Sequence, residues 1–172
     1  MPHIVLTGFM ATGKTEVGRR LARLLGWTFV DTDGLVEAAA GRSVKDIFAT
    51  DGEVRFRALE REAVAQACGM PDAVIATGGG ALLDPDNRRR LAAAGPIVCL
   101  SATPEEILAR TGNGSSRPLL AGAAGREERL ARIRSLMADR APAYAVAAHT
   151  VDTAGLTVEQ VAERVRTLVA GQ

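Results

Sequence analysis

Residues 8–15 read GFMATGKT, and they follow a short apolar stretch that ends at Thr7. The segment fits the pattern G-x-x-x-x-G-K-[ST], and it lies between a predicted strand and a predicted helix. In that setting, successive backbone N–H groups and the N-terminus of the helix bind phosphate. The lysine is expected to bridge the β- and γ-phosphates of a nucleotide, and the threonine hydroxyl to ligate Mg²⁺. The predicted nucleotide-binding residues are Met10, Ala11, Thr12, Gly13, Lys14 and Thr15.

The rest of the chain alternates short apolar runs with helical patterns. Strands are predicted over residues 4–7, 27–30, 73–76, 97–100 and 150–151. Helices are predicted over residues 17–25, 56–69, 86–94, 104–110, 126–140 and 158–169, with a further capped helix start at Ser43. Such alternation without tight hairpin turns favours an α/β fold, with a parallel sheet covered by helices on both faces. We expect one domain over residues 1–172.

One segment, TGNGSSRPLLAGAAG at residues 111–125, has low sequence complexity. It is rich in glycine and serine, so it offers little apolar surface that folding could bury. Loops of this length without secondary structure are commonly functional. We predict that residues 111–125 form a mobile flap over a binding site.

Composition excludes several classes of protein. The 21 basic and 20 acidic residues nearly cancel, which argues against a nucleic-acid or membrane-surface partner. Cys68 and Cys99 stand singly, and the two histidines are far apart, so no structural zinc site is predicted. Neither a signal peptide nor a membrane-spanning run is visible. These observations predict a cytoplasmic protein without a membrane or nucleic-acid partner.

The remaining motifs narrow the class of nucleotide-binding protein. The Asn-Lys-x-Asp motif of GTPases cannot occur, since Lys14 and Lys45 are the only lysines and Val44 precedes the second. A motor or remodelling ATPase would end a buried strand in an acidic pair, whereas the third predicted strand runs into the sequence TGGG at 77–80. Glycines there allow the backbone to approach a ligand closely. The pattern favours a small-molecule kinase.

Two carboxylates close the second predicted strand in the sequence FVDTD. In an extended conformation Asp31 and Asp33 would point to the same side, at the sheet edge where α/β folds bind ligands. One of them can order Mg²⁺ through its waters, and the other can accept the proton of an attacking hydroxyl.

Two arginines are candidates for binding an acidic acceptor. Arg57 and Glu60 are spaced i and i+3 on a predicted helix, so the carboxylate can orient the guanidinium. Arg57 and Arg140 could together bind a carboxylate in a bidentate manner, for which arginine suits better than lysine. The acceptor would then be a small acid that also carries a hydroxyl group.

The ordered set GxxxxGKT, DTD, GExxFRxxE, TGGG, RPLL and RxxxY resembles the shikimate kinase family over essentially the whole chain. The resemblance implies a fold of the nucleoside-monophosphate-kinase type, with five parallel strands in the order 2-3-1-4-5. It also implies that ATP, with Mg²⁺, phosphorylates the 3-hydroxyl of shikimate, a step of aromatic amino-acid biosynthesis. The implied catalytic residues are Lys14, Asp33 and Arg117, the last of them in the predicted lid at 111–125.

The resemblance also implies roles for the other site residues. Asp33 would contact the shikimate hydroxyls, and Asp31 would lie near Mg²⁺. The implied remaining shikimate-binding residues are Arg57, Gly78, Gly79, Gly80 and Arg140, and Arg117 would reach the phosphates of ATP. We expect a monomer.

Two positions depart from the family pattern. Ala11 stands where many members have glycine, which stiffens the phosphate loop. The segment after Thr153 lacks the basic residue that some members place near adenine, so Arg110 becomes the candidate adenine contact.

Two other functions fit parts of the sequence: a gluconate-type sugar-acid kinase, and a catalytically silent nucleotide-binding module. A silent module would have no need for the complete acceptor side.

Overall fold

The computed structural model describes residues 2–112, 120, 122 and 125–171. Its sheet has five parallel strands in the order β2-β3-β1-β4-β5, as the resemblance implied. The strands are β1 (His3–Gly8), β2 (Thr28–Asp31), β3 (Ala73–Ala76), β4 (Ile97–Ser101) and β5 (His149–Asp152). All five predicted strands are therefore confirmed, with ends that differ by at most one residue.

Seven helices surround this sheet in the described part of the chain. They are α1 (Lys14–Leu25), α2 (Thr32–Ala40), α3 (Val44–Cys68), α4 (Pro85–Ala94), α5 (Pro104–Thr111), α6 (Gly125–Tyr144) and α7 (Val158–Ala170). A single 3₁₀ turn, Ala81–Leu83, follows β3. The helix start at Ser43 is confirmed, because its hydroxyl accepts a hydrogen bond from the Asp46 backbone N–H. α3 is interrupted at Gly52, whose φ of 82° and ψ of 174° are not helical.

Helix α2 was not predicted, and it corrects the interpretation of the two aspartates. The chain leaves β2 at Asp31 and turns at once into a helix, so Asp31 and Asp33 do not lie on one extended strand. The Asp31 carboxylate caps that helix by accepting from the backbone N–H groups of Asp33, at 3.0 Å, and Gly34, at 3.4 Å. An aspartate at a strand end is also a favoured N-cap, and here the cap decides the backbone path.

The central strand β1 is buried on both faces, which explains its unbroken apolar sequence. Ile4 and Leu6 pack on one face of the sheet against side chains of α1 and α7. Val5 packs on the other face against α3 and α4, as the alternation of side chains along a strand requires. With both faces covered, the open carboxyl edge of the sheet is where a ligand can bind.

Gly8 allows the chain to leave this edge sharply. Its φ is 139°, and a Cβ atom at this position would collide with the Leu100 carbonyl oxygen. No side chain fits there, so β1 can run directly into the phosphate loop only with glycine at its end.

Most of the predicted flap at 111–125, including Arg117, lies outside the described residues, so its mobility stays a prediction. Leu120 is described, and it packs in a cluster with Phe9, Ile107 and Ile133. Among the described helices, none is long and apolar enough to cross a membrane.

Candidate active site

The phosphate loop, residues 8–15, is held in shape by hydrogen bonds to its own carbonyl groups. The Lys14 ammonium donates to the carbonyl oxygens of Gly8 and Phe9, both at 2.8 Å. The hydroxyl of Thr12 also donates to the Phe9 carbonyl, at 2.8 Å. Gly13 is the N-cap of α1 with a φ of 92°. Carbonyl groups bound in this way leave the backbone N–H groups of the loop to face an anion.

Thr15 and Asp31 meet at the start of α1. The Thr15 hydroxyl donates to Asp31 Oδ2 at 2.9 Å, while Asp31 Oδ1 caps α2. A hydroxyl and a carboxylate are the hard oxygen ligands that Mg²⁺ accepts, and Mg²⁺ in kinases usually takes its other ligands from water and phosphate. The described residues contain no cluster of three or more His, Cys, Asp or Glu side chains that could hold a metal alone. The pair therefore fits a magnesium ion that is shared with a nucleotide.

A cavity of about 320 Å³ opens beside the phosphate loop. Four charged side chains also line it, and we call them the charged wall: Asp33, Arg57, Glu60 and Arg140. The floor is the glycine triplet, Gly78–Gly80, which follows β3. Of the residues predicted from the sequence, the cavity lining includes Met10, Ala11, Gly13, Lys14, Thr15, Asp31, Asp33, Arg57, Gly78, Gly79, Gly80 and Arg140.

Two predicted and described residues are not part of this lining. Thr12 is buried beneath the phosphate loop. Arg110 lies behind that loop, where its guanidinium donates to the Ala11 carbonyl at 3.1 Å and to the Thr153 hydroxyl at 3.3 Å. Arg117 is outside the described residues.

Two carboxylates of the charged wall converge beneath the glycine triplet. Asp33 Oδ1 and Glu60 Oε2 are buried and have no hydrogen-bond partner among the described residues. A Cβ atom on Gly78 would lie 2.8 Å from each of these oxygens. The pKa of Asp33 is raised to about 6, chiefly by burial and further by the Asp31 and Glu60 carboxylates, while Lys14 opposes the shift. Burial also raises the pKa of Glu60, although the neighbouring Arg57 opposes it.

Arg57 is fixed by two carboxylates of its own helix. Its guanidinium donates to Glu60 Oε1 at 2.8 Å and to Glu53 Oε1 at 3.2 Å. It also lies 5.2 Å from the centre of the Phe56 ring. A Cβ atom on Gly80 would come within 2.6 Å of Arg57 Nη2, so glycine is what lets this guanidinium reach the floor of the cavity.

Arg140 reaches the cavity from α6 and is only 3% exposed. Its guanidinium lies 5.1 Å from the centre of the Phe9 ring, a distance typical of a cation–π contact. A Cβ atom on Gly79 would lie 2.9 Å from Arg140 Nη1. Arg57 and Arg140 thus approach the glycine triplet at neighbouring residues, and together they present two guanidinium groups to one small ligand.

Tyr144 contacts the floor of the cavity in a way that was not predicted from the sequence. Its hydroxyl donates a short hydrogen bond to the Gly79 carbonyl. Burial raises the pKa of Tyr144 to about 12, so the hydroxyl keeps its proton and remains a donor. The RxxxY spacing was the available signal, because a residue four positions after Arg140 lies on the same face of a helix.

The parallel sheet, the phosphate loop and the charged wall define a phosphate-loop kinase that acts on small molecules. A family model described as shikimate kinase matches residues 10–170. A shikimate kinase from Caldanaerobacter subterraneus subsp. tengcongensis is 48% identical over 165 residues, which cover 96% of this chain and 94% of that protein. The chain belongs to the shikimate kinase family.

Solved structures agree with this assignment. Shikimate kinase from Acinetobacter baumannii in complex with shikimate superposes with a TM-score of 0.93 at 36% identity, covering 99% of this chain and 94% of that chain. A gluconokinase from Sinorhizobium meliloti 1021 reaches a TM-score of 0.57 at 17% identity, with coverage of 99% and 94%. The second likeness shows a shared fold alone, so the gluconate-type alternative gains no support beyond the fold.

Proposed function

We propose that the enzyme transfers the γ-phosphoryl group of ATP to the 3-hydroxyl of shikimate, with the phosphate loop binding ATP and the charged wall binding shikimate. The observation that carries the assignment is the approach of Arg57 and Arg140 to adjacent glycines, Gly80 and Gly79, in the cavity that the phosphate loop also lines. Two guanidinium groups suit the planar carboxylate of the acceptor. A silent nucleotide-binding module would gain nothing from burying these charges, which is costly without a ligand or partner.

On the ATP side, Lys14 contacts the β- and γ-phosphates. To do so, its ammonium group gives up its hydrogen bonds to the Gly8 and Phe9 carbonyls. Thr15 and Asp31 would hold Mg²⁺, Asp31 through water. When bound, Mg²⁺ neutralises charge on the β- and γ-oxygens. Asp31 keeps its capping bonds to α2 through its other oxygen, so binding on this side leaves the start of α2 in place.

On the shikimate side, Arg57 and Arg140 bind the carboxylate and thereby direct the hydroxyl groups towards Asp33. Asp33 accepts the proton of the 3-hydroxyl as that oxygen attacks the γ-phosphorus. A carboxylate whose pKa is about 6 is still ionised at neutral pH and is a stronger base than an ordinary aspartate. Glu60 holds Arg57 in position through the 2.8 Å ion pair.

The remaining assignments concern the rest of the chain. Arg117 reaches the transferred phosphate when residues 111–125 cover the site, which excludes water that would compete with the hydroxyl. Residues 1–172 act as one domain and one monomer in the cytoplasm, with ATP, Mg²⁺ and shikimate as ligands and without a nucleic-acid or membrane partner. The near-equal numbers of basic and acidic residues support the last point.

A coupled assay of ADP release tests the proposal. With ATP and Mg²⁺, shikimate should support turnover, whereas gluconate and simple polyols should not. 3-Dehydroshikimate, which carries a ketone in place of the reacting hydroxyl, should bind without being phosphorylated. Faster ADP release with gluconate, or equal release without any acceptor, would contradict the proposed acceptor.

A further inference from the structure

Ala11 has a backbone conformation that its side chain disfavours. Its φ is 59°, in the left-handed region. Among the described residues other than glycine, only Asp72 also has a positive φ. Aspartate tolerates this region because its side chain can form local hydrogen bonds, but alanine has no such group. The phosphate loop therefore holds Ala11 in a strained conformation that some other interaction must offset.

The Ala11 carbonyl has a partner from a distant part of the chain. Arg110 Nη1 donates to it at 3.1 Å, and the same nitrogen donates to the Thr153 hydroxyl at 3.3 Å. The Gly8 and Phe9 carbonyls, by contrast, are held by Lys14 and Thr12 within the loop itself. The strained residue, Ala11, thus has its carbonyl held by a side chain of a different element, helix α5.

Both supports of this contact are firmly placed. α5 begins with a capping box between Thr103 and Glu106 and is anchored in the core by Ile107, so Arg110 extends from a fixed last turn. Thr153 is 5% exposed, and its hydroxyl donates to the Ser101 carbonyl at 2.9 Å. The bonds therefore run from the phosphate loop through one guanidinium nitrogen to the end of β4.

We propose that Arg110 is a positioning residue for the phosphate loop, which acts by holding the Ala11 carbonyl and so keeping Ala11 in the left-handed conformation. A carbonyl turned outward at this position leaves the neighbouring N–H groups facing the nucleotide phosphates. The inference rests on the proposed role of the loop in ATP binding. It is separate from the predicted adenine contact, because in this role the arginine acts on the loop.

A double-mutant cycle between Arg110→Ala and Ala11→Gly separates the positioning of the phosphate loop from a contact with adenine. Glycine adopts a positive φ without strain, so a loop with the Ala11→Gly substitution no longer depends on the arginine. In the wild-type background, Arg110→Ala should raise the KM for ATP by about fivefold with a smaller change in kcat. In the Ala11→Gly background, the same substitution should raise that KM by less than about twofold. An adenine contact would be lost equally in both backgrounds.

Two further variants sharpen the test. Arg110→Lys should recover part of the lost ATP affinity, because an ammonium group has three donors and can bind both oxygens from one nitrogen. Arg134→Ala is the matched control, since Arg134 is exposed and pairs with Glu105 of the same α5 at 2.7 Å. It should leave the KM for ATP unchanged.

Each outcome either supports or overturns the positioning role of Arg110. Suppression of the Arg110→Ala defect by Ala11→Gly supports the positioning role. Equal defects in the two backgrounds, or no defect in either, overturn it. If neither the wild-type nor the Ala11→Gly protein phosphorylates shikimate, the proposed function has failed, and that result is distinguishable from failure of the cycle.

Discussion

The phosphate loop is built from consecutive residues and mainly from backbone, whereas the charged wall is built from side chains that lie far apart in the sequence. The loop spans residues 8–15 and closes its hydrogen bonds largely within itself. The charged wall takes Asp33 from α2, Arg57 and Glu60 from α3, and Arg140 from α6. The first region is complete as a motif, while the second exists only after the chain has folded.

The two regions also differ in electrostatic cost. The phosphate loop offers mainly backbone N–H groups to its ligand. The charged wall buries Glu60, Arg140 and one carboxylate oxygen of Asp33, and it leaves two carboxylate oxygens without partners among the described residues. Buried charges that are not fully paired destabilise a fold, so this wall lowers stability where the ligand will bind. Substitutions in the two regions should therefore have different signatures.

The largest effect is expected from Lys14→Ala in the phosphate loop. Loss of a charge that acts mainly on the transition state should lower kcat by about 10²-fold or more, while the fold is kept. Lys45→Ala is the matched control, because Lys45 is the other lysine of the chain and is exposed. Turnover near the wild-type value in a folded Lys14→Ala protein would refute the assignment of the loop.

Asp33→Asn should separate activity from stability in the charged wall. Turnover should fall by about 10²-fold, because the proton acceptor is lost. The raised pKa of about 6 means that folding disfavours the Asp33 carboxylate. This cost is absent below the unfolded pKa of about 4, grows as the pH rises to about 6, and is complete above it. The variant should therefore be more stable than wild type by about 1–3 kcal/mol at about pH 8, with no gain at about pH 4.

Denaturant unfolding at about pH 8 and about pH 4 measures the stability difference between Asp33→Asn and the wild type. Asp139→Asn, on the exposed face of α6, is the control. In the wild type, kcat/KM should also decline as the pH falls through about 6. A variant less stable than wild type at about pH 8 would show that Asp33 is compensated in the folded protein.

Arg117→Ala tests the predicted lid, which would join the two regions when it closes. We expect kcat to fall by about tenfold or more, with little change in shikimate binding, because Arg117 would act on the transferred phosphate. Amide exchange across residues 111–125 should slow when nucleotide and shikimate are bound together, and less with either alone. Unchanged exchange with both ligands present would exclude closure of this segment.

Arg57→Lys should affect the charged wall alone. A lysine cannot reproduce the two parallel hydrogen bonds of a guanidinium, so the dissociation constant for shikimate should rise by about tenfold. ATP affinity should hardly change, since the phosphate loop does not depend on this residue. Arg55→Lys, at an exposed neighbouring position of α3, serves as the control. Weaker ATP binding with intact shikimate binding would show that Arg57 binds the nucleotide and not shikimate.

The smallest effect is expected from Tyr144→Phe. The substitution removes the hydroxyl that donates to the Gly79 carbonyl but keeps the ring in place. Loss of one hydrogen bond to the floor of the charged wall should raise the KM for shikimate by about two- to fivefold and leave the KM for ATP unchanged. Equal changes in both constants would mean that the tyrosine supports the fold as a whole.

What could be predicted from the sequence follows the same division. The three inner strands were found because buried parallel strands have unbroken apolar sequences, and the phosphate loop because its geometry depends on neighbouring residues. Asp33, Arg57 and Arg140 of the charged wall were each found by local patterns, whereas their common site was implied by the family resemblance. No local pattern links Asp33 to Arg140, because only the tertiary fold brings them to one cavity.

The missed helix and two missed contacts have identifiable structural causes. Helix α2 was missed because Asp31 fits both a strand end and a helix cap, and its choice depends on hydrogen bonds to Asp33 and Gly34. The bond of Arg110 to the Ala11 carbonyl was missed because it spans 99 positions of sequence, which no motif encodes. The adenine contact of Arg110 stays a prediction. Tyr144 was quoted within a motif but given no role, since its partner is a backbone atom on another element.

The glycine triplet constrains anyone who wishes to redesign this enzyme for another acceptor. Each of its three positions faces a different charged group: the two carboxylates at Gly78, Arg140 at Gly79 and Arg57 at Gly80. Any larger residue would displace one of those groups, so the floor of the pocket admits no gradual change in shape. New specificity has to be introduced from α2 and α3, whose side chains can vary in size without moving the floor. Directed evolution that randomises the triplet should return glycine at all three positions.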